Sequence, residues 1–101
     1  MKIMIVDDVP KIRKVIIDML KNVEAEFIEC SNGNDAIKAY DEFHPDVVLM
    51  DIEMKEMNGI DATRIIKRKY RDAKICIVTN YSDSFLTKAA RDAGAVGYVL
   101  K

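Results

Sequence analysis

The chain has 101 residues, of which half are apolar and a third are charged, and its net charge is -1. This length and composition suit one compact domain. The balanced charge offers no basic surface for nucleic acid, and no stretch approaches the roughly 20 apolar residues of a membrane helix. We therefore expect a soluble protein with no direct contact to nucleic acid or membrane. Since the chain begins as a strand and not as a signal peptide, we expect it to be cytoplasmic.

Strand and helix patterns alternate along the chain. Apolar runs predict strands over 2–6, 25–30, 46–50, 74–79 and 96–100. Apolar residues at intervals of three and four predict helices over 10–22, through 36–43, over 60–69, and from a cap at Ser82 or Asp83 to Gly94. This alternation predicts βαβ units with right-handed crossovers, and hence an α/β domain with a parallel sheet.

The third predicted strand delivers a carboxylate to its end. Its four apolar residues, Val47–Met50, cannot alternate between inside and outside, so we expect the strand to be covered on both faces. Asp51 follows at the carboxyl end, where open α/β sheets place their ligands. Asp7 and Asp8 follow the first strand in the same way. If the two strands are neighbours, three repelling carboxylates converge, which predicts a hard divalent cation, Mg²⁺, among them.

Residues at four strand ends resemble the site of one family, the receiver domain of bacterial two-component response regulators. They are the acidic pair Asp7 and Asp8, then Asp51, Thr79 and Lys101, with Tyr98 three residues before the lysine. Segments 44–51 and 93–101 are also similar to the family's local sequences. The resemblance covers 1–101 as one receiver domain. It implies a doubly wound, flavodoxin-like sheet of five strands in the order 2-1-3-4-5, with four helices. The chain stops where the family continues into a fifth helix.

The resemblance, which is to chemotaxis-regulator-like receivers, also implies a function. Asp51 would accept a phosphoryl group from a sensor histidine kinase or a phosphotransfer protein, and the phosphorylated domain would switch its binding to a partner. Mg²⁺ would be held by Asp7, Asp8, Asp51 and the backbone carbonyl of Glu53. Lys101 and Thr79 would contact the phosphoryl oxygens. Such a protein catalyses its own phosphoryl transfer and dephosphorylation but is not a turnover enzyme.

Further positions are implied to act in switching and in the lifetime of the phosphoryl group. Thr79 and Tyr98 resemble the family's switch pair, in which the tyrosine turns inward when the threonine is drawn toward the phosphoryl group. Glu53, Asn80 and Tyr81 occupy positions that tune the lifetime. Asn80 departs from the small residue that is usual there, and Lys55 stands where proline is common.

Other interpretations remain open at this point. The domain could be an interaction module that is never phosphorylated. Taken singly, Asp7 and Asp8 could cap the first helix, Thr79 could be an ordinary strand end, and Lys101 could be a solvated terminus. A phosphatase with an aspartyl nucleophile would want an aspartate where Glu53 stands, and a nucleotide or flavin carrier would want a glycine-rich loop after the first strand.

Features outside this constellation have simple interpretations. Cys30 and Cys76 lie in separate predicted strands, and we expect both to be buried, reduced thiols. The basic face of the third helix is expected to be solvated. Without a fifth helix, the first helix and the sheet beside it should lack cover. We therefore expect either further chain or an output domain, or self-association through this face.

Overall fold

Five parallel strands form the centre of the computed structural model, which describes residues 1–101. In chain order the elements are β1 (Lys2–Val6), α1 (Pro10–Met19), β2 (Glu26–Cys30), α2 (Gly33–Phe43), β3 (Val47–Met50), α3 (Gly59–Lys69), β4 (Ile75–Thr79), α4 (Ser84–Ala93) and β5 (Gly97–Leu100). The strand order is β2-β1-β3-β4-β5, and every neighbouring pair is parallel. The predicted doubly wound sheet with four helices is confirmed. The strand order reverses beside β1, so the carboxyl ends of β1 and β3 border a crevice.

Three of the four helices begin at a side-chain cap. Asn32, Asn58 and Asp83 accept hydrogen bonds from backbone N–H groups of α2, α3 and α4. Helix α1 is different, because its cap is Val9, which has no capping side chain, and Pro10 stands in its first position. The acidic pair that precedes α1 therefore does not serve as its cap.

Helix α1 is shorter than predicted, since it ends at Met19 and not near Asn22. The N–H of Leu20 is shared between the carbonyls of Ile16 and Ile17, and the N–H of Lys21 reaches only to Asp18. The hydrogen bonds thus change from the α-helical spacing of four residues to a spacing of three, and the helix ends there. The other boundaries agree with the sequence to within one residue, except that α2 already begins at Gly33.

The main core lies on one side of the sheet. A cluster of 16 buried residues joins alternate strand positions to α2, α3 and α4, and none of its members comes from α1. In β3, Val48 and Met50 are fully buried, but Val47 and Leu49 are only half-buried. The face of β3 toward α1 is therefore covered less completely than the face toward α2, α3 and α4.

On the α1 side of the sheet, Ile3 and Ile5 of β1 are buried, but α1 itself contributes no buried side chain. Val15 is 52% exposed and Met19 is 78% exposed. The two cysteines reflect the same asymmetry. Cys30 is buried, whereas Cys76, which was expected to be buried, is only half-buried, and both are free thiols. Association through the α1 face stays a prediction.

No helix has the length and apolar character needed to cross a membrane.

Candidate functional site

The neighbouring strands β1 and β3 bring three carboxylates together. Val6 and Met50 are paired in register, and the N–H of Asp51 donates to the carbonyl of Val6 at 2.9 Å. Oxygens of Asp7, Asp8 and Asp51 consequently lie within 4.8 Å of one another. Asp7 is 1% exposed and Asp51 is 7% exposed. The convergence that the sequence predicted is present in the structure.

The ammonium of Lys101 lies against this carboxylate cluster. The Nζ of Lys101 is 2.7 Å from Asp7 Oδ2 and 3.3 Å from Asp51 Oδ2. Burial raises the pKa of Asp51, the charge of Asp7 raises it further, and Lys101 opposes both. Burial lowers the pKa of Lys101, but its hydrogen bonds and charge contacts with Asp7 and Asp51 outweigh burial and raise that pKa. One ammonium faces three carboxylates, so a hard divalent cation fits the charge and the oxygen donors of this site.

The backbone around Asp51 is held by the first turn of α3. Asp51 Oδ1 accepts the N–H of Ile52 at 2.9 Å, and the N–H of Gly59 donates to the carbonyl of Ile52 at 2.9 Å. A Cβ at position 59 would lie 1.8 Å from the carbonyl oxygen of Asp51. Only glycine permits this approach. Sequence reasoning placed position 59 only just before the third helix and missed that Gly59 supports the site.

Besides Lys101, three hydrogen-bond partners hold Asp7. Its N–H donates to the carbonyl of Cys30 at 3.1 Å, and its Oδ1 accepts the N–H of Val9 at 2.9 Å. Its own carbonyl accepts Nη1 of Arg13 at 2.6 Å. Sequence reasoning also missed Arg13, because a basic residue on the first helix carries no motif that separates it from a solvated side chain.

The carboxylates line a cavity of about 530 Å³ that is open to solvent. Its lining residues are Asp7, Asp8, Val9, Ile12, Asp51, Glu53, Asn80, Tyr81 and Lys101. The predicted lifetime positions Glu53, Asn80 and Tyr81 are all among them. Thr79 is fully buried and does not line the cavity. Its Oγ1 accepts a hydrogen bond from the N–H of Tyr81 at 3.4 Å. Of the two residues expected to contact the phosphoryl oxygens, only Lys101 reaches this cavity in the structure.

Tyr81 links the cavity to Tyr98. The hydroxyl of Tyr81 donates to the carboxylate of Glu53, which raises the pKa of Tyr81. The hydroxyl of the half-buried Tyr98 donates to the carbonyl of Tyr81 at 2.7 Å. The predicted switch residues Thr79 and Tyr98 therefore both hydrogen-bond to the backbone of Tyr81, Thr79 at its N–H and Tyr98 at its carbonyl.

Glu53 and Tyr81 also border a second cavity, of about 400 Å³, that extends toward α4. Its apolar lining includes Met54, Phe85 and Leu86, and Phe85 is 76% exposed. The two cavities thus share the residues that the Glu53–Tyr81 hydrogen bond joins.

A flavodoxin-like sheet with a carboxylate cluster and a lysine at its carboxyl edge is the architecture of a signalling receiver. The chain matches the response regulator receiver domain over residues 3–101, and it belongs to that family. It is thus a receiver domain of the kind found in two-component response regulators.

The relatives include both long regulators and small receivers. The chain is 37% identical to the transcriptional regulatory protein YdfI of Bacillus subtilis, over 99% of this chain and 47% of YdfI. It is 36% identical to the chemotaxis protein CheY of Thermotoga maritima, over 99% of this chain and 84% of CheY. The chain therefore spans about half the length of the transcriptional regulators that it matches.

Among solved structures, the response regulator TrrA of Thermotoga maritima, crystallised in complex with Mg²⁺ and BeF, has a TM-score of 0.90 and 34% identity. The match covers 99% of this chain and 85% of that one.

Proposed function

We propose that Asp51 accepts a phosphoryl group from a histidine kinase or a phosphotransfer protein, and that the phosphorylated domain changes its binding to a partner. The observation that carries this proposal is the position of Asp51. It lies beside Lys101 and two further carboxylates at the edge of a solvent-open cavity. Phosphoryl transfer depends mainly on positioning and on electrostatic stabilisation, and this arrangement offers both.

We propose that the site takes Mg²⁺, held by Asp7, Asp8, Asp51 and the backbone carbonyl of Glu53. Clustered carboxylate oxygens and a surplus of negative charge support this ligand set. The complex of TrrA with Mg²⁺ and BeF supports it as well. When bound, the ion supplies positive charge that offsets the charge of the phosphoryl oxygens.

Asp51, Lys101 and Thr79 would each have a separate role in phosphoryl transfer. One Asp51 oxygen, Oδ1, is held by the N–H of Ile52, so Oδ2 would form the bond to phosphorus while the bond between phosphorus and the donor's imidazole nitrogen breaks. The ammonium of Lys101, which already lies 3.3 Å from Oδ2, would contact a phosphoryl oxygen. The hydroxyl of Thr79 would donate to another oxygen after leaving the N–H of Tyr81.

That movement of Thr79 would connect the phosphoryl group to the switch. Thr79 and Tyr98 share Tyr81 as a hydrogen-bond partner, so a change at one alters the backbone that holds the other. A phosphoryl group can only shift an equilibrium between conformations that the domain already samples. Its differential contacts with Thr79 and Lys101 would supply the bias.

The wider biological role is proposed on the same basis. The domain would act in the cytoplasm, transferring one phosphoryl group to itself and losing it again without turning over an external substrate. Its partners would be the phosphoryl donor and either an output domain or a second protein. A receiver that signals by binding alone is the alternative, and the intact carboxylate and lysine set favours the phosphorylated form.

Intact mass spectrometry tests the proposal directly. Incubation with Mg²⁺ and acetyl phosphate should add one phosphoryl group to the wild-type protein and none to Asp51→Asn. Asp8→Ala should lose Mg²⁺ binding, and Lys101→Ala should keep it but lose phosphorylation or the structural response. A mass gain that persists in Asp51→Asn would place the nucleophile elsewhere. No gain in the wild type would favour the interaction module.

A further inference from the structure

Arg13 connects three elements beneath the carboxylate cluster. It lies on α1, and its side chain is only 15% exposed. The guanidinium donates through Nη1 to the carbonyl of Asp7 at 2.6 Å and through Nε to Oε1 of Glu29 at 2.9 Å. Helix α1 is therefore attached to the end of β1 and to β2 by one planar group with two fixed donor directions.

The carbonyl that accepts Arg13 belongs to the peptide between Asp7 and Asp8. The other hydrogen bonds of Asp7 are made at its N–H, with Cys30, and at its carboxylate, with Val9 and Lys101. Arg13 is thus the side chain that holds the plane of the next peptide, from which the half-buried Asp8 extends. A hydrogen bond from a charged donor is stronger than a neutral one and fixes this plane more firmly.

We propose that Arg13 is a positioning residue for the cation site, which sets the Asp7–Asp8 peptide so that the Asp8 carboxylate faces Asp51. The inference rests on the proposed function, because it takes Mg²⁺ as the ion of this site. Residues behind metal ligands commonly determine ligand orientation, and their loss lowers metal affinity.

Charge and orientation predict opposite effects for the loss of Arg13. The guanidinium is positive, so by charge alone its removal would strengthen the binding of a cation. Its pairing with Glu29 offsets much of that charge. If Arg13 instead acts by orienting the Asp7–Asp8 peptide, its removal frees that peptide and weakens Mg²⁺ binding. The direction of the change in Mg²⁺ affinity therefore separates the two roles.

Isothermal titration of Mg²⁺, without a phosphodonor, measures this direction. Arg13→Met keeps the aliphatic stem and should raise the dissociation constant about tenfold. Arg13→Lys keeps the charge but loses the planar fork, and it should raise the constant by a smaller factor. Arg68→Met removes the same charge from an exposed position in the last turn of α3, and it should leave the constant unchanged.

Two further readouts distinguish positioning from general damage to the fold. The Asp8 amide nitrogen should shift in the metal-free NMR spectrum of Arg13→Met and shift less in Arg13→Lys. In phosphorylation by acetyl phosphate, Arg13→Met should need more Mg²⁺ for half-saturation yet approach the wild-type rate at saturation. A structural defect would lower the saturated rate instead.

An unchanged or tighter Mg²⁺ affinity in Arg13→Met, beside a wild-type protein that binds, would overturn the role of Arg13 and leave the proposed function intact. If Arg13→Met does not fold, Arg13→Lys decides, and a wild-type affinity in that variant would overturn the inference. A wild-type protein that binds no Mg²⁺ would overturn the metal assignment in the proposed function, and this inference with it.

Discussion

The hydroxyl of Tyr81 donates a hydrogen bond to the carboxylate of Glu53 and so joins the segments that follow β4 and β3. Both residues border the cavity that contains Asp51, and both also border the apolar cavity toward α4. The bond therefore lies between the candidate phosphoryl site and a second opening on the surface. We expect it to restrict the approach of water to Asp51 from that side.

Tyr81→Phe should accordingly shorten the lifetime of the phosphoryl group. The ring remains but the bond to Glu53 is lost, so water gains access and the Glu53 carboxylate is free to orient it. A hydrogen bond of ordinary net strength corresponds to a change of about 2- to 10-fold in the rate of loss. The decay of the phosphorylated mass after removal of the donor measures this rate.

Tyr70→Phe is the matched control for that experiment, because the hydroxyl of Tyr70 also donates to a carboxylate, that of Asp41, in a contact outside the site. It should leave the decay rate unchanged. An equal or slower decay in Tyr81→Phe would show that the bond does not limit hydrolysis.

Tyr98→Phe should uncouple the α4 region from the phosphoryl site. The variant lacks the 2.7 Å hydrogen bond to the carbonyl of Tyr81, while the contact between Thr79 and the N–H of Tyr81 is kept. On addition of Mg²⁺ and beryllofluoride, the Tyr81 amide should still shift, but the shifts of α4 amides should be smaller than in the wild type. NMR spectra with and without beryllofluoride test this, and undiminished α4 shifts would remove Tyr98 from the switch.

Gly59→Ala should damage both the fold and the site. The added methyl group would lie 1.8 Å from the carbonyl oxygen of Asp51, so the first turn of α3 must move away from β3. Overpacking typically costs about 1–3 kcal/mol in the free energy of unfolding, and a contact this short should cost at least the upper end of that range. Mg²⁺ binding should weaken as Asp51 is displaced. Urea unfolding and Mg²⁺ titration of the same variant measure the two effects.

Gly97→Ala serves as the comparison, since a methyl group there would meet only the side chain of Cys76, at 3.0 Å for the nearest atom. A loss of about 1 kcal/mol is expected, with Mg²⁺ affinity retained. Equal losses in the two variants would contradict the special role assigned to Gly59.

Asp51→Asn should stabilise the metal-free domain near neutral pH. Burial and the charge of Asp7 raise the pKa of Asp51, which means that the folded state disfavours its ionised form. Removal of this charge should raise the midpoint of thermal unfolding. Addition of Mg²⁺ should then stabilise the wild type more than the variant.

The control for this comparison is Asp92→Asn, which removes an exposed carboxylate on α4 and should change stability by less than about 0.5 kcal/mol. A metal-free Asp51→Asn protein that is less stable than the wild type would show that the contact with Lys101 outweighs burial and repulsion.

Cys30 should make stability fall in alkaline solution. Burial raises the pKa of its thiol from 9.0 to about 11, with the charge of Asp35 adding to the effect. Between these two values the unfolded chain has released the proton and the folded chain has kept it, so stability decreases as pH rises. This contribution is fully present below pH 9.0 and is lost through pH 11.

Urea unfolding across this pH range should show a shallower decline for Cys30→Ala than for the wild type, whatever the overall stability of the variant. Cys76→Ala, which alters the half-buried thiol, should change the slope less. Identical slopes for Cys30→Ala and the wild type would exclude the thiol as the cause.

Much of the fold could be predicted from local pattern. The alternation of apolar strands and amphipathic helices predicted every element, and the parallel sheet followed from it. The carboxylates could be placed because Asp7 and Asp51 each directly follow a strand, and parallel strands end at the same edge. Sequence reasoning failed where a contact lies outside such a pattern. Arg13 and Gly59 touch the backbone of Asp7 and Asp51, and backbone contacts across the fold leave no periodic signal.

The sequence by itself therefore determined the fold class, the strand ends and the chemical identity of the residues that gather there, because hydrophobic periodicity and turn chemistry are local properties. Only the tertiary structure decided which contacts those residues make. It directs the Thr79 hydroxyl to Tyr81 and not to the cavity, and it joins Glu53 to Tyr81. It also leaves one face of β3 half-covered. These outcomes depend on distances between segments far apart in the chain, which local preferences do not specify.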